Sequence, residues 1–364
     1  MPLSFYVLLC KNTFGEKYKI MVVLIKDVTD YMFSSALDKI VFTTDQASAV
    51  FRLSLGEQEI LNETYVPDVN GKISVVDLHD LVEPYLASNL IEQFSYQITD
   101  AAGASVNKTF VVQFCAAEIS IDAEPFRQKY FLSTLMGEKV TSAGRKEFLH
   151  LVVSEVTDVY VTCMYLTPLG HQTKNKSLDK ITNLNDIVTI DVSPNLFLDG
   201  VGELFFYTVN AGKRSQAFQI DLACLDVDPC LLFTNSFGCQ ETFYCTGTHT
   251  LEPEYGRSST VIDGKFRNYH IKEKRMFKAN TGILNVAMSL WADDLFRSKE
   301  IYLLEGIRPG KEITITDSES KRTNDLDALP SYTFEYRYAQ RNQNILQLPR
   351  AGRVFDNTFD NTFE

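Results

Sequence analysis

The side chains able to do chemistry are spread thinly along this chain. Cys224, Cys230, Cys239 and Cys245 are the densest group of soft ligands, with five, eight and five residues between neighbours. Zinc knuckles place their cysteines in close pairs, because a tetrahedral ion takes two thiolates from one tight turn. This wider spacing reads instead as core or hairpin packing. Cys10, Cys115 and Cys163 bring the count to seven, an odd number and a poor disulfide framework over so long a chain. Most of them sit in apolar strand contexts, where a thiol packs as a small hydrophobe, and the expected setting is a reducing compartment at the time of folding.

His79, His150, His171, His249 and His270 stand alone, with no paired metal spacing. Asp293 and Asp294 are adjacent on a predicted helix, so they point apart and cannot flank one glycosidic bond. There is no GxSxG elbow and no P-loop, and GVGE (Gly200 to Glu203) reads as a turn after Asp199. Asp68, Asn70 and Gly71 fit the third, fifth and sixth positions of a calcium loop. Val66 and Asp77 then fall at the first and twelfth, two failed ligands, so the stretch reads as a hairpin turn. No catalytic, cofactor-binding or metal-ligating residue is assigned, and no enzyme is expected. A hydrolase acting on a host envelope, with its acids on separate strands, would leave no local mark.

The elements that must carry these residues are mostly strands. The chain has 364 residues, enough for two or three domains with their own cores. Aromatics make up 12%, with 17 Tyr and 25 Phe but one Trp, which favours β structure. A net charge of −12 opposes a nucleic-acid grip and binding to anionic membranes. Lys265, Arg267, Lys272, Lys274, Arg275 and Lys278 cluster locally and read as a solvated face. No apolar run reaches the ~20 residues of a membrane span. Leu8, Leu9 and Cys10 faintly resemble a lipoprotein box, but Leu9 is too large and no basic region precedes it. Met21 is a candidate internal start.

Residues 1–117 read as a β-sandwich-like domain, with strands at 18–25, 39–43, 49–55, 59–65, 92–99 and 108–114, and a short helix capped by Asp77. Residues 118–225 read as a second, with strands at 148–153, 159–166, 187–192, 203–210 and 216–223. FSYQITDAAGASVNKTFVVQFC (Phe94 to Cys115) is echoed by FFYTVNAGKRSQAFQIDLAC (Phe205 to Cys224). The echo points to a duplicated domain, against the alternative that hairpins resemble one another.

The chain is organised around residues 232–304. LFTNSFGCQETFYCTG reads as two short strands joined by a turn, followed by a basic, turn-rich middle. Leu284, Met288, Trp291 and Leu295 then line one helix face, leaving Asp293 and Asp294 to water. EIYLL (Glu300 to Leu304) reads as a buried strand. Together these make a small α+β module, residues 226–340. NSFGCQETF, WADDLFRS, EIYL, ITDSESKRTND and YTFEYRYA occur in that order over residues 231–340. In this the chain resembles the C-terminal module of tail-associated structural proteins of Bacteroidetes phages and prophages. Cys239 and Cys245 depart from that pattern.

The resemblance implies a virion structural protein of the tail tip or baseplate region, assembled in the bacterial host cytoplasm into a symmetric homo-oligomer with other tail proteins. Residues 341–364 form a C-terminal arm in which Phe355, Phe359 and Phe363 recur every four residues and DNTF repeats, the candidate subunit contact. The alternative is a carbohydrate-binding or adhesion protein, with a host surface glycan as partner. That reading wants exposed aromatic platforms, whereas Trp291 falls on an apolar helix face.

Overall fold

The computed structural model describes residues 22–200, 202–223, 227–306, 308–319 and 329–339. The protein is mainly β, and its contacts divide the described chain into two compact units. Residues up to 223, with Thr234–Thr242 and Val286–Ser298, form the first; residues 227–233, Phe243–Asn285 and 299–339 form the second.

The first unit opens with β1 (Val22–Lys26), β2 (Tyr31–Phe33), β3 (Ile40–Thr44), β4 (Ala49–Leu55), β5 (Gln58–Tyr65) and β6 (Lys72–Val75). A short helix α1 (Leu78–Val82) leads to the hairpin β7 (Ile91–Asp100) and β8 (Ser105–Gln113). β1-β3-β6 form one sheet and β2-β8-β7-β4-β5 the other, with β2 parallel to β8. Alternation along β4 and β7 sends Phe51, Leu53, Phe94, Tyr96 and Ile98 inward, against Ile40, Phe42, Ile73 and Val75 of the smaller sheet. β5 lies at the edge, and its run of polar, exposed residues suits a strand that must not recruit another.

After α2 (Ala123–Lys129) come β9 (Lys139–Thr141), β10 (Phe148–Val152), β11 (Thr157–Thr167), β12 (Gly170–Ile181), β13 (Ile187–Asp191), β14 (Glu203–Ala211) and β15 (Arg214–Ile220). β10 pairs with β13, and β9-β15-β14-β11-β12 form a five-stranded sheet with β9 parallel to β15. This repeats the first sandwich strand for strand: β2, β3, β4, β5, β6, β7 and β8 correspond to β9, β10, β11, β12, β13, β14 and β15. The echoed hairpins are equivalent, and Tyr96 and Tyr207, third in FSYQI and FFYTV, are both buried. Topology thus supports the duplication more firmly than the sequence echo does.

The second unit is built on one sheet ordered β17-β16-β20-β21-β22-β19-β18. Its strands are β16 (Cys230–Thr234), β17 (Gln240–Tyr244), β18 (His249–Ile262), β19 (Lys265–Asn280), β20 (Ile301–Glu305), β21 (Arg308–Glu319) and β22 (Thr333–Tyr338). The β16–β17 turn and α3 (Val286–Arg297) belong to the first unit.

Four expectations need correction. The basic middle is not turn-rich: it is one continuous ribbon, β18 paired with β19. Asp294 is not open to water; it is 5% exposed, and its carboxylate accepts from Thr134 Oγ1 at 2.9 Å and from Ser236 N and Oγ at 2.9 and 2.6 Å. Asp77 stands at the start of α1 but makes no capping bond, because its φ of 58° is left-handed rather than extended. The EIYLL strand is half-buried rather than buried beyond Ile301.

Candidate subunit interface

β18 and β19 pair from His249↔Ala279 to Ile262↔Lys265, where Asp263 and Gly264 close the turn with φ of 53° and 73°. Two successive positive φ values make the primed turn whose twist matches the strands, and Asp-Gly is a preferred sequence for it. Only Phe277–Asn280 of β19 pair with β22, so the ribbon runs on beyond the sheet that anchors it. From the Leu251↔Phe277 pair to the Val261↔Phe266 pair it runs ten residue steps along β18, a reach of roughly 33 Å.

The register sorts its side chains. A bulge at Ser258/Ser259 skips one residue of β19, Tyr269. Leu251, Tyr255, Val261, Phe266 and Ile271 therefore share one face, with Phe277 at its root and with Arg257 and the Glu273–Arg275 ion pair set among them. Lys265, Arg267, Lys272, Lys274 and Lys278 share the other. At the root, the first face is core: Phe277 and Ala279 are buried. Further out the same face continues with nothing of its own unit over it, and Phe266 is 84% exposed. Exposed apolar side chains grouped on one face and rimmed by charge mark a contact site more often than singly scattered ones do. Pro253 on the edge strand β18 removes a ladder donor there, which discourages strand addition along that edge.

The root is fixed by a polar and aromatic clamp. His249, Phe277 and Tyr336 stack with centroids 4.9 to 5.8 Å apart. His249 bonds through Nε2 to Tyr336 Oη at 2.8 Å and through Nδ1 to Asp228 Oδ2 at 2.7 Å. Burial pushes the Tyr336 phenol well above its ordinary value, so it is a permanent hydrogen-bonding group rather than an acid.

The first unit carries a concave feature of its own. A groove of about 660 Å³ lies between residues 117–121, residues 133–138 and the start of β15, and is lined by Ile119, Phe126, Phe131, Leu135 and Phe237. Glu118 and Glu138 are exposed at its margin, as are Ile121 and Met136. Gln216 braces one wall by donating from Nε2 to Gly137 O at 2.6 Å and Ala217 O at 3.0 Å.

A buried ionic network in the same unit holds β9 and α3 in place. Lys139 Nζ donates to Glu147 Oε2 at 2.6 Å and to Thr242 O at 2.8 Å, and lies 4.6 Å from the Trp291 ring centre. Trp291 Nε1 donates to Glu241, whose other oxygen accepts from Asn235 Nδ2 at 3.0 Å. Burial raises the Glu241 pKa, partly offset by the Lys139 charge. These groups satisfy one another and none of them lines the groove, so the network is an internal brace.

Of the sequence candidates, Phe355, Phe359 and Phe363 lie outside the described residues. Cys10 and Cys224 do too. Cys115, Cys163, Cys239 and Cys245 are free and buried, and burial pushes the Cys115 thiol up to about 11. Among the described residues no cluster of three His, Cys, Asp or Glu side chains could hold a metal ion, and no helix is long and apolar enough to cross a membrane. Five of the six basic residues do form a solvated face, whereas Arg275 lies on the opposite face in an ion pair with Glu273, and the apolar side chains of that opposite face are what the composition concealed. Asp263–Gly264 between VI and KF was the signal that could have found it.

No protein-family model and no curated protein matches this chain. Among solved structures it is similar to the periplasmic chaperone SfaE, at 10% identity over 55% of this chain and 100% of that one, with a TM-score of 0.18. It is also similar to a bacterial ice-binding adhesin, at 10% identity over 71% and 89%, with a TM-score of 0.16. A third is the Bacteroides ovatus glucan-utilization protein SGBP-B, at 11% identity over 75% and 69%, with a TM-score of 0.16.

Proposed function

We propose that this chain is a structural protein of a phage or prophage tail, in the tip or baseplate region, that works by assembling with copies of itself and with other tail proteins. It would assemble in the bacterial host cytoplasm and end in the virion. The observation that carries this reading is the β18–β19 ribbon, an arm rooted in the sheet by its His249–Phe277–Tyr336 stack, with Leu251, Tyr255, Val261, Phe266 and Ile271 exposed on one face. Such a face costs solubility in a lone monomer and gains its use when another surface covers it. The tail-protein resemblance over residues 231–340 supports the same reading. Assembly of this kind needs no reacting group. It needs a self-complementary set of surfaces with closed symmetry.

The test is the native mass of the purified chain by light scattering, with negative-stain images of the same peak. A closed oligomer, alone or on adding a neighbouring tail protein, is expected. Joining Tyr255 to Glu273 through Asn-Gly removes the outer ribbon at a paired position. That variant should stay folded and monomeric. One observation favours the adhesion reading: Tyr255, Phe266 and Tyr269 are exposed rings on a single ribbon. A wild-type monomer that never assembles and binds a host polysaccharide would establish that alternative.

A further inference from the structure

We infer that the tip of the ribbon of one copy seats Phe266 in the groove of the first unit of a second copy. This rests on the assembly reading and names the two surfaces that meet. Phe266 is the most exposed aromatic side chain among the described residues, and it stands on the apolar face one pair from the turn. An aromatic anchor entering a desolvated pocket is the commonest form of an interface hot spot. The groove has the matching character: about 660 Å³, with apolar walls and room for one ring and its neighbours.

Charge selects the same pairing. Lys265 and Arg267 adjoin the anchor in sequence but stand on the ribbon's other face, so with the rest of the basic arm they act on the approach to the groove, at whose margin Glu118 and Glu138 are exposed. From His249 to Asn280 the ribbon carries seven Lys and Arg against four Asp and Glu, whereas the whole chain carries 35 against 47. The remainder is therefore more acidic than the total, and a basic arm is steered towards the body of another copy. Tip and groove are different patches of the same chain, so the contact is heterologous. Repeated from copy to copy, such a contact closes a ring where the rotation permits.

The experiment uses two full-length variants, each disabled in one partner surface. Phe266→Asp spoils the tip, and Ile121→Glu with Met136→Glu spoils the groove; all three positions are exposed, and circular dichroism and thermal melts confirm folding. Each variant alone should be monomeric by light scattering. An equimolar mixture should give a one-to-one dimer and nothing larger, because one intact tip and one intact groove remain. A mixture that stays monomeric while the wild type assembles would overturn the tip-in-groove contact and leave assembly standing. A variant that assembles as the wild type does would overturn it equally. A wild type that forms no oligomer at any concentration, with or without a neighbouring tail protein, would remove the assembly reading and this inference together.

Discussion

Lys139 shows how much of the first unit hangs on single buried polar side chains. Its side chain is 8% exposed, and its ammonium satisfies Glu147, the carbonyl of Thr242 and the Trp291 ring at once. Lys139→Met keeps the length and removes the charge, leaving the Glu147 carboxylate buried without its cation. The loss should be about 3–5 kcal/mol in urea unfolding, and Lys139→Met with Glu147→Met should recover much of it. His150 gives a pH signature. Its Nε2 lies 2.7 Å from Gln240 O and its Nδ1 2.9 Å from Thr189 Oγ1. The fit is to a neutral ring that donates through Nε2 and accepts through Nδ1, and burial depresses the pKa. The folded state therefore binds the proton less well than the unfolded chain. The stabilisation is complete above the ordinary histidine range and is lost as pH falls through that range to the depressed value. The stability difference between the wild type and His150→Gln should accordingly shrink as pH falls from neutral to mildly acidic, read from denaturant midpoints.

At the scale of elements, legibility followed periodicity. α3 could be read because Met288, Trp291 and Leu295 repeat at helical spacing and are buried; Leu284, read as part of the same face, is buried too but precedes the helix, which starts at Val286. Asp294 was misplaced for a related reason: the period gives the helix face, but not what comes to cover its flank, here Thr134 and Ser236. β12 was missed because GHQTKNKSLDKI lies at a sheet edge, where selection favours charge over alternation. The ribbon was misread because its alternation is apolar against basic and is interrupted by a bulge, so counting charges hid the apolar half. The duplication was half legible, in the β7–β8 and β14–β15 hairpins. Its full extent lives in the strand pairing, which a sequence does not display. The groove could not be read at all, since three segments up to about a hundred residues apart build it.

At the scale of the molecule, the order of the chain matters as much as its contacts. Trp291, Leu295 and Phe237 are core residues of the first unit, yet all follow residue 233, after the chain has entered the second. A chain ending at Ala223 should therefore fail to complete the first unit. It should show weakened near-ultraviolet dichroism and rapid proteolysis, whereas removal of the outer ribbon alone should change neither. The same interleaving sets a schedule for synthesis. Domains commonly fold as they leave the ribosome, N-terminal first. Here the β9 region waits for Thr242 and then for Trp291, so its acid–base pair and the apolar ground around it stay unfinished until translation passes Ser298. Because the ribbon at 249–280 is translated before α3, a nascent chain exposes the apolar side chains of the ribbon before the first unit is closed. Translation pace between those two points, and any chaperone that occupies the interval, would then decide the yield of correctly folded chain.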